Sequence, residues 1–212
     1  MIATIVCAVA CATLVVAEWR ALAGLRIAAK TIASIAFLVV GYGAASGSFG
    51  EWMFIGLVFG AIGDVALLGR GRGAFLAGLG AFLVGHVAYV VGIAQLVEPA
   101  AWLGHAGWLA AVPGVAGIAV VAGLWTRLRS LKVPVLAYVA AIVAMVIAAT
   151  AAARAGALPE PQNCWLPIGA GLFFISDLAV ARDRFVGRSF TNKLWGLPAY
   201  YAAQLLIAWT IR

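Results

Sequence analysis

Residues 60–89 read GAIGDVALLGRGRGAFLAGLGAFLVGHVAY, and this stretch places two ionisable side chains inside two apolar runs. Asp64 lies in the first run and His86 in the second, with a short basic turn between the runs. An ionisable group in hydrocarbon costs free energy, so it usually has a partner or a function. A second stretch, FFISDLAVARDRF at residues 173–185, repeats part of this design around Asp177. The two aspartates are therefore the first candidates for a site.

The composition indicates an all-α polytopic membrane protein. Of the 212 residues, 66% are hydrophobic and 10% are charged, whereas a soluble domain carries about 25% charged residues. A membrane span needs about 17–25 mostly apolar residues. We predict a single integral membrane domain over residues 1–212, with eight transmembrane helices joined by short connections. The predicted spans, numbered 1 to 8, are residues 2–19, 28–46, 51–69, 74–96, 105–125, 132–152, 163–181 and 194–211.

The distribution of basic residues predicts the orientation. Twelve of the 14 Lys and Arg residues fall in every alternate connection, and only Arg154 and Arg212 fall on the opposite side. Because basic loops remain in the cytoplasm, we expect cytoplasmic basic loops and both termini outside. The expected location is a bacterial inner (plasma) membrane, with the lipid bilayer as partner. The net charge of +7 lies in these turns and does not indicate nucleic-acid binding. The sequence leaves the oligomeric state open.

Spans 3 and 4 resemble spans 7 and 8, which hints at an internal repeat. Residues 56–70, GLVFGAIGDVALLGR, and residues 169–182, GAGLFFISDLAVAR, both place a small residue before the aspartate and an arginine after it. The following spans each carry two more polar residues. Repeats in membrane proteins often place a site at their interface. Chance similarity between apolar sequences is the alternative explanation.

The polar residues of these spans are expected to share one cavity in the cytoplasmic half of the membrane. Asp64 lies about 8 Å from the cytoplasmic end of span 3, at 1.5 Å rise per residue, and Asp177 lies at a similar depth in span 7. Lys30 starts span 2 on the same side. Tyr200, Gln204 and His86 are expected in the same cavity, and Tyr89 and Ser176 are further site candidates.

Each candidate also has a structural explanation. Asp64 could neutralise Arg70 or Lys30 in an ion pair. Asp177 could cap a helix or pair with Arg182, and His86 could be a hydrogen-bonded packing residue. Lys30 could be an interface residue whose ammonium reaches the membrane surface.

The motif content favours acid–base chemistry over cofactor chemistry. The sequence contains no HExxH motif, no His and Cys cluster with metal-ligand spacing and no phosphate-binding glycine loop. We therefore expect no metal and no cofactor. Two buried carboxylates can divide the roles of acid and base, when one is kept protonated by an apolar site and the other stays ionised near a cation. Such a pair suits the hydrolysis of an acid-labile bond.

Five segments together resemble the YhhN-like lysoplasmalogenase family. The resemblance runs from about Lys30 to the C-terminus, and the order and spacing of the segments fit. One departure is Lys30-Thr31, where the family usually has Lys-Pro. The segments are GDVALL, FLVGHVAY, VPVLAYVAAIVAM, FFISDLAVARDRF and YYAAQLLIA.

The resemblance implies an eight-span hydrolase that cleaves the vinyl ether bond of lysoplasmalogens. The products would be a fatty aldehyde and glycerophosphoethanolamine or glycerophosphocholine, so the partner would be a lysophospholipid in the membrane. Asp64 and Asp177 would be the catalytic pair, in an order that the sequence does not assign. The residues expected to bind or orient the substrate are Lys30, His86, Tyr89, Ser176, Tyr200 and Gln204.

Two other classes of protein fit the same residues. A proton-coupled transporter of small molecules or lipids also uses intramembrane carboxylates and repeats. In a structural membrane protein the aspartates would only hold helices together.

Overall fold

A computed structural model describes residues 1–43 and 45–211, and within these ranges the chain forms helices and turns without a strand. The long helices have 18 to 24 residues, and a π-helical turn, Arg182–Val186, extends the helix before it. The α-helices are α1 Ile2–Trp19, α2 Ala23–Tyr42, α3 Gly47–Ala66, α4 Gly71–Ala94, α5 Trp102–Ala106, α6 Ala111–Leu128, α7 Lys132–Arg154, α8 Gln162–Ala181 and α9 Phe190–Thr210.

The eight long helices coincide with the eight predicted apolar segments, and the two largest differences in their boundaries are at the starts of α2 and α6. The helix α2 begins at Ala23 and not at residue 28, so Lys30 lies two turns inside the helix and does not start it. The predicted fifth span begins at residue 105, but α6 begins only at Ala111. Gly107, with φ of +58°, ends α5 and separates it from the next helical turn.

Six segments of the described residues are long and apolar enough to cross a membrane. One of them, Pro99–Arg154, contains both α6 and α7, and α9 is not among the six. The sequence of α9 includes Asn192, Lys193 and Gln204, which lower its hydropathy. The chain is a multi-pass membrane protein. That all eight long helices cross the membrane stays a prediction, as does the internal repeat.

Three glycines on one face of α3, at positions 56, 60 and 63, allow this helix to pack closely against α4 and α9. A Cβ atom on Gly56 would collide with the Tyr89 ring of α4, and one on Gly60 would collide with the Gln204 amide of α9. Helices in a membrane associate through such close contacts, because lipid chains are as apolar as the side chains. The α3–α4 and α8–α9 hairpins are thereby joined through contacts between α3 and α9.

Replacing Gly56 with alanine is expected to lower the melting temperature of the detergent-solubilised protein, because the added methyl group overlaps the Tyr89 ring. Overpacking of this kind costs about 1–3 kcal/mol. The matched control is Gly80→Ala in α4, where a Cβ atom meets nothing within 4 Å. Equal melting temperatures for the two variants, measured by tryptophan fluorescence, would contradict the packing described here.

Three of the basic connections meet at one end of the bundle. Arg72, at the start of α4, donates a hydrogen bond to Ser130 Oγ at 3.0 Å, between α6 and α7. Arg127 donates to the carbonyl of Phe185 at 3.4 Å, in the π-helical turn after α8. The rings of Phe75 and Phe185 pack edge to face there, 6.0 Å apart. We call this end, with its Arg and Lys side chains, the basic end.

Candidate functional site

A cavity of about 120 Å³ lies among the helices near the basic end. A volume of roughly 10–15 Å³ is enough for one water molecule, so this cavity has room for a larger group. Its lining comes from α2, α3, α4, α6, α7, α8 and α9. The polar or ionisable lining residues are Lys30, Asp64, Tyr138, Ser176, Asp177, Asn192, Lys193 and Tyr200.

Asp64 lies in the last turn of α3 and forms an ion pair inside the bundle. Its Oδ1 atom is 3.0 Å from Lys30 Nζ, and its Oδ2 atom accepts a hydrogen bond of 2.7 Å from Ser34 Oγ. Lys30 and Ser34 are four residues apart on α2, so they present both donors on one helix face. The partner of Asp64 is thus Lys30, one of the two alternatives considered for it, and both side chains are nearly buried.

Asp177 has different partners. Its Oδ2 atom accepts a hydrogen bond of 2.8 Å from Tyr138 Oη of α7 and lies 3.8 Å from His86 Nε2 of α4. Among the described residues, no Lys or Arg forms an ion pair with this carboxylate, so the alternative pairing with Arg182 is wrong. The Asp177 side chain is 17% exposed. The cavity therefore contains one carboxylate with a cation and one without.

His86 is fully buried behind Asp177 and is not part of the cavity wall. Its Nδ1 atom is 2.7 Å from the carbonyl oxygen of Phe82. A carbonyl only accepts, so Nδ1 carries the proton, and Nε2 of the neutral ring is left as an acceptor. Nε2 has no hydrogen-bond partner among the described residues. Its ring packs against Phe173 and Tyr138, with centroids 4.5 and 5.1 Å away.

Tyr89, Gln204 and Tyr200 form a hydrogen-bonded chain from α4 through α9 to α3. Tyr89 Oη donates to Gln204 Oε1 at 2.8 Å, and Gln204 Nε2 donates to Tyr200 Oη at 3.1 Å. Tyr200 Oη donates in turn to the carbonyl oxygen of Gly60 at 3.3 Å. Only Tyr200 of these three lines the cavity. The chain satisfies buried polar groups and holds one wall in place.

Five of the eight sequence candidates line this cavity. Asp64, Asp177, Lys30, Ser176 and Tyr200 line it, whereas the other three lie behind its wall. Ser176 is buried beside Asp177 in α8.

Sequence reasoning missed four polar residues that contact the aspartates or line the cavity. Tyr138 belongs to one of the segments that resemble the family, and Ser34 follows Lys30 by one helical turn. Asn192 and Lys193 lie in the first turn of α9, where the Lys193 ammonium is 3.1 Å from Asp183 Oδ2. The only sequence signal for Asn192 and Lys193 is their position after the basic segment at residues 182–188.

The described residues contain no group of three or more His, Cys, Asp or Glu side chains that could hold a metal ion. Of the side chains that could ligate a metal, the carboxylate of Asp177 and the ring of His86 lie close to each other.

The fold and the cavity define a class: a multi-pass helical membrane protein with two carboxylates in a largely apolar cavity near one end of the helix bundle. The chain belongs to the YhhN family, whose model matches residues 25–211. This range includes every residue of the cavity. The comparisons found no matching curated protein and no matching solved structure.

Proposed function

We propose that the protein is a lysoplasmalogenase, a hydrolase that cleaves the vinyl ether bond of a lysophospholipid and releases a fatty aldehyde. Membership of the YhhN family supports a lysoplasmalogenase-like role at the level of the family. The observation that supports the reaction in this chain is the difference between the two carboxylates. Asp64 is bound to an ammonium group, and Asp177 accepts its hydrogen bond from a phenol.

Vinyl ether hydrolysis begins when an acid donates a proton to the alkene carbon that is not bonded to oxygen. In our proposal Asp177 is this donor, because no cation holds it as a carboxylate and its surroundings are mostly apolar. Proton transfer gives an oxocarbenium ion, which the negative charge of Asp64 stabilises.

Water then adds to the cationic carbon and gives a hemiacetal, and its surplus proton returns to Asp177. The bond from that carbon to the glycerol oxygen breaks as the aldehyde forms. The glycerol oxygen receives the hydroxyl proton of the hemiacetal. The sum is one lysophospholipid and one water converted into one aldehyde and one glycerophospho compound, with both aspartates restored.

The other candidates position the pair or meet the substrate. Lys30 forms an ion pair with Asp64, and Ser176 and Tyr200 border the space beside it. His86 packs behind Asp177, with Nε2 3.8 Å from Oδ2, while Tyr89 and Gln204 hold Tyr200 against α3. Lys193 and Asn192 lie at the basic end of the cavity, where a phosphate head group would remain hydrated. No cofactor takes part.

We also propose that all eight long helices cross the membrane and that the chain contains an internal repeat. In each half the aspartate receives its hydrogen bond from the long helix that precedes it. Ser34 of α2 donates to Asp64 of α3, and Tyr138 of α7 donates to Asp177 of α8. This correspondence supports the proposed repeat, in which spans 3 and 4 match spans 7 and 8, with the site between the two halves.

Alkaline phosphatase fused to the C-terminus is expected to be active on the outer side of a bacterial inner membrane. Twelve basic residues fix the opposite ends of the helices in the cytoplasm. Alkaline phosphatase, which matures outside the cytoplasm, and a cytoplasmic fluorescent protein form a matched pair of reporters. A fluorescent C-terminal fusion with an inactive phosphatase fusion would overturn this topology.

Tyr138→Phe is expected to lower kcat for aldehyde release by about tenfold. The reason is that the variant loses one hydrogen bond to the Asp177 carboxyl group, which becomes charged after proton transfer. KM should change little, since the phenol meets Asp177 and not the bulk of the substrate. The control is Tyr42→Phe, at a residue 75% exposed to the surroundings. An unchanged kcat in Tyr138→Phe would remove this hydrogen bond from the mechanism.

The function is tested by incubating the purified protein with an alkenyl lysophospholipid and measuring free aldehyde. Parallel samples contain the matching ester lysophospholipid and the saturated ether. We expect aldehyde from the alkenyl compound and no cleavage of the ether. Counterflow of lysolipid in vesicles without aldehyde release would instead favour the transporter. If the protein shows neither activity, the structural role is favoured.

A further inference from the structure

The cavity has a polar side and an apolar side. Lys30, Asp64 and Tyr200, from α2, α3 and α9, form the polar side. We call the lining from α4, α6 and α7 the apolar side, since it contains one tyrosine and otherwise only apolar residues. Asp177 and Tyr138 lie among the lining residues of α8 and α7, bonded to each other.

The apolar side consists largely of two rows of side chains on facing helices. Gly117, Val120 and Leu124 follow the i, i+3, i+7 spacing of one face of α6. Val135, Val139 and Ile142 follow the i, i+4, i+7 spacing on α7. The helices pack against each other directly, since a Cβ atom on Gly117 would lie 3.1 Å from Val139 Cγ1. Tyr138 is next to Val139 on α7, so the α7 row lies beside the hydrogen bond from Tyr138 to Asp177.

The opposite face of α6 is exposed. Val115 and Ile118 are 65% and 72% exposed, as expected for side chains that face lipid. The helix α6 therefore separates the cavity from the membrane by a single layer. A charged head group on this side would find only apolar side chains and one phenol, at a large desolvation cost, whereas a hydrocarbon chain would lose nothing by moving there from lipid.

We propose that the rows on α6 and α7 bind the hydrocarbon chain of a single-chain amphiphile and so place its first carbons beside Asp177. Val120 and Val139 border this chain subsite and limit the width of the chain that it accepts. The inference rests on the proposed function for what happens to the bound molecule. The binding of a chain does not depend on its cleavage.

The first test changes the width of the subsite. Val120→Phe is expected to lower kcat/KM for a hexadecenyl lysophospholipid by about tenfold, because the larger ring overpacks the space in which the chain would lie. The loss should be smaller for a hexenyl lysophospholipid, which has less chain to place. The matched control is Ile118→Phe, two residues away on the exposed face of α6. Equal effects of the two variants on both substrates would overturn the subsite.

The second test does not use activity. A saturated alkyl ether lysophospholipid with a diazirine in its chain is photolysed with the protein in nanodiscs, and the labelled residues are identified by mass spectrometry. We expect labelling of the α6 and α7 rows that excess unlabelled ether competes away and that Val120→Phe reduces. Labelling of Val115 and Ile118 from bulk lipid should resist competition.

The two tests separate failure of the chain subsite from failure of the proposed function. Competable labelling of the rows without aldehyde release from any alkenyl lipid would leave the subsite standing and remove the hydrolase. Aldehyde release with competable labelling confined to other helices would do the opposite.

Discussion

Replacing Asp177 with asparagine is expected to lower the rate of aldehyde release by roughly 100- to 10,000-fold, the usual contribution of a positioned general acid. Asparagine keeps an oxygen that can accept the hydrogen bond from Tyr138, so the packing of α7 against α8 should survive. It cannot transfer a proton to the alkene carbon. The measurement is kcat for an alkenyl lysophospholipid, together with the melting temperature of each variant.

Glu51→Gln is the matched control for this loss of a carboxylate. Glu51 is exposed in α3, away from the cavity, so its replacement should leave kcat unchanged. An Asp177→Asn protein that retains wild-type kcat would show that the proton comes from another group. A variant that loses both kcat and its melting transition would indicate a structural role.

Replacing Lys30 with methionine is expected to cause the largest loss of stability. Asp64 would remain in a nearly buried position without its cation, and removal of one partner of a buried ion pair costs about 3–5 kcal/mol. Ser34 would then be the one remaining side-chain hydrogen-bond donor to Asp64 among the described residues. The melting temperature in detergent should fall clearly below that of the wild type.

The double variant Lys30→Met/Asp64→Asn separates the two roles of this pair. Removing both charges should restore most of the stability, because no unpaired charge remains in the bundle. Aldehyde release should nevertheless stay low, since the oxocarbenium ion then has no negative charge from α3 beside it. Recovery of both stability and activity would mean that Asp64 is only a structural partner of Lys30.

Much of the helical fold can be predicted from the sequence, because hydropathy and helix length are local properties. The boundaries are less predictable where a polar residue has a distant partner. Lys30 starts a span if it is assumed to face water, but it lies inside α2 because Asp64, 34 positions later, neutralises it. The break before α6 depends on the backbone conformation of Gly107, which composition does not reveal.

The aspartates themselves are visible in the sequence as isolated charges in apolar runs. Their partners are not, since contacts between helices depend on how the helices rotate and pack. Tyr138 donates to Asp177 across 39 positions, and periodicity does not distinguish it from other tyrosines. His86 is visible as a polar residue, but its protonated nitrogen follows from the nearby Phe82 carbonyl. Tyr89 and Gln204 looked like cavity residues and instead support its wall.

The most direct test of the mechanism is hydrolysis of an alkenyl lysophospholipid in heavy water, with the aldehyde trapped as it forms. Protonation of the alkene carbon by an exchangeable carboxyl group predicts one deuterium on the carbon next to the aldehyde carbonyl. Unlabelled aldehyde added to the same mixture corrects for exchange after release. Aldehyde without this deuterium, or release of a fatty acid from the ester lysophospholipid in its place, would contradict acid-catalysed vinyl ether hydrolysis by the Asp64–Asp177 pair.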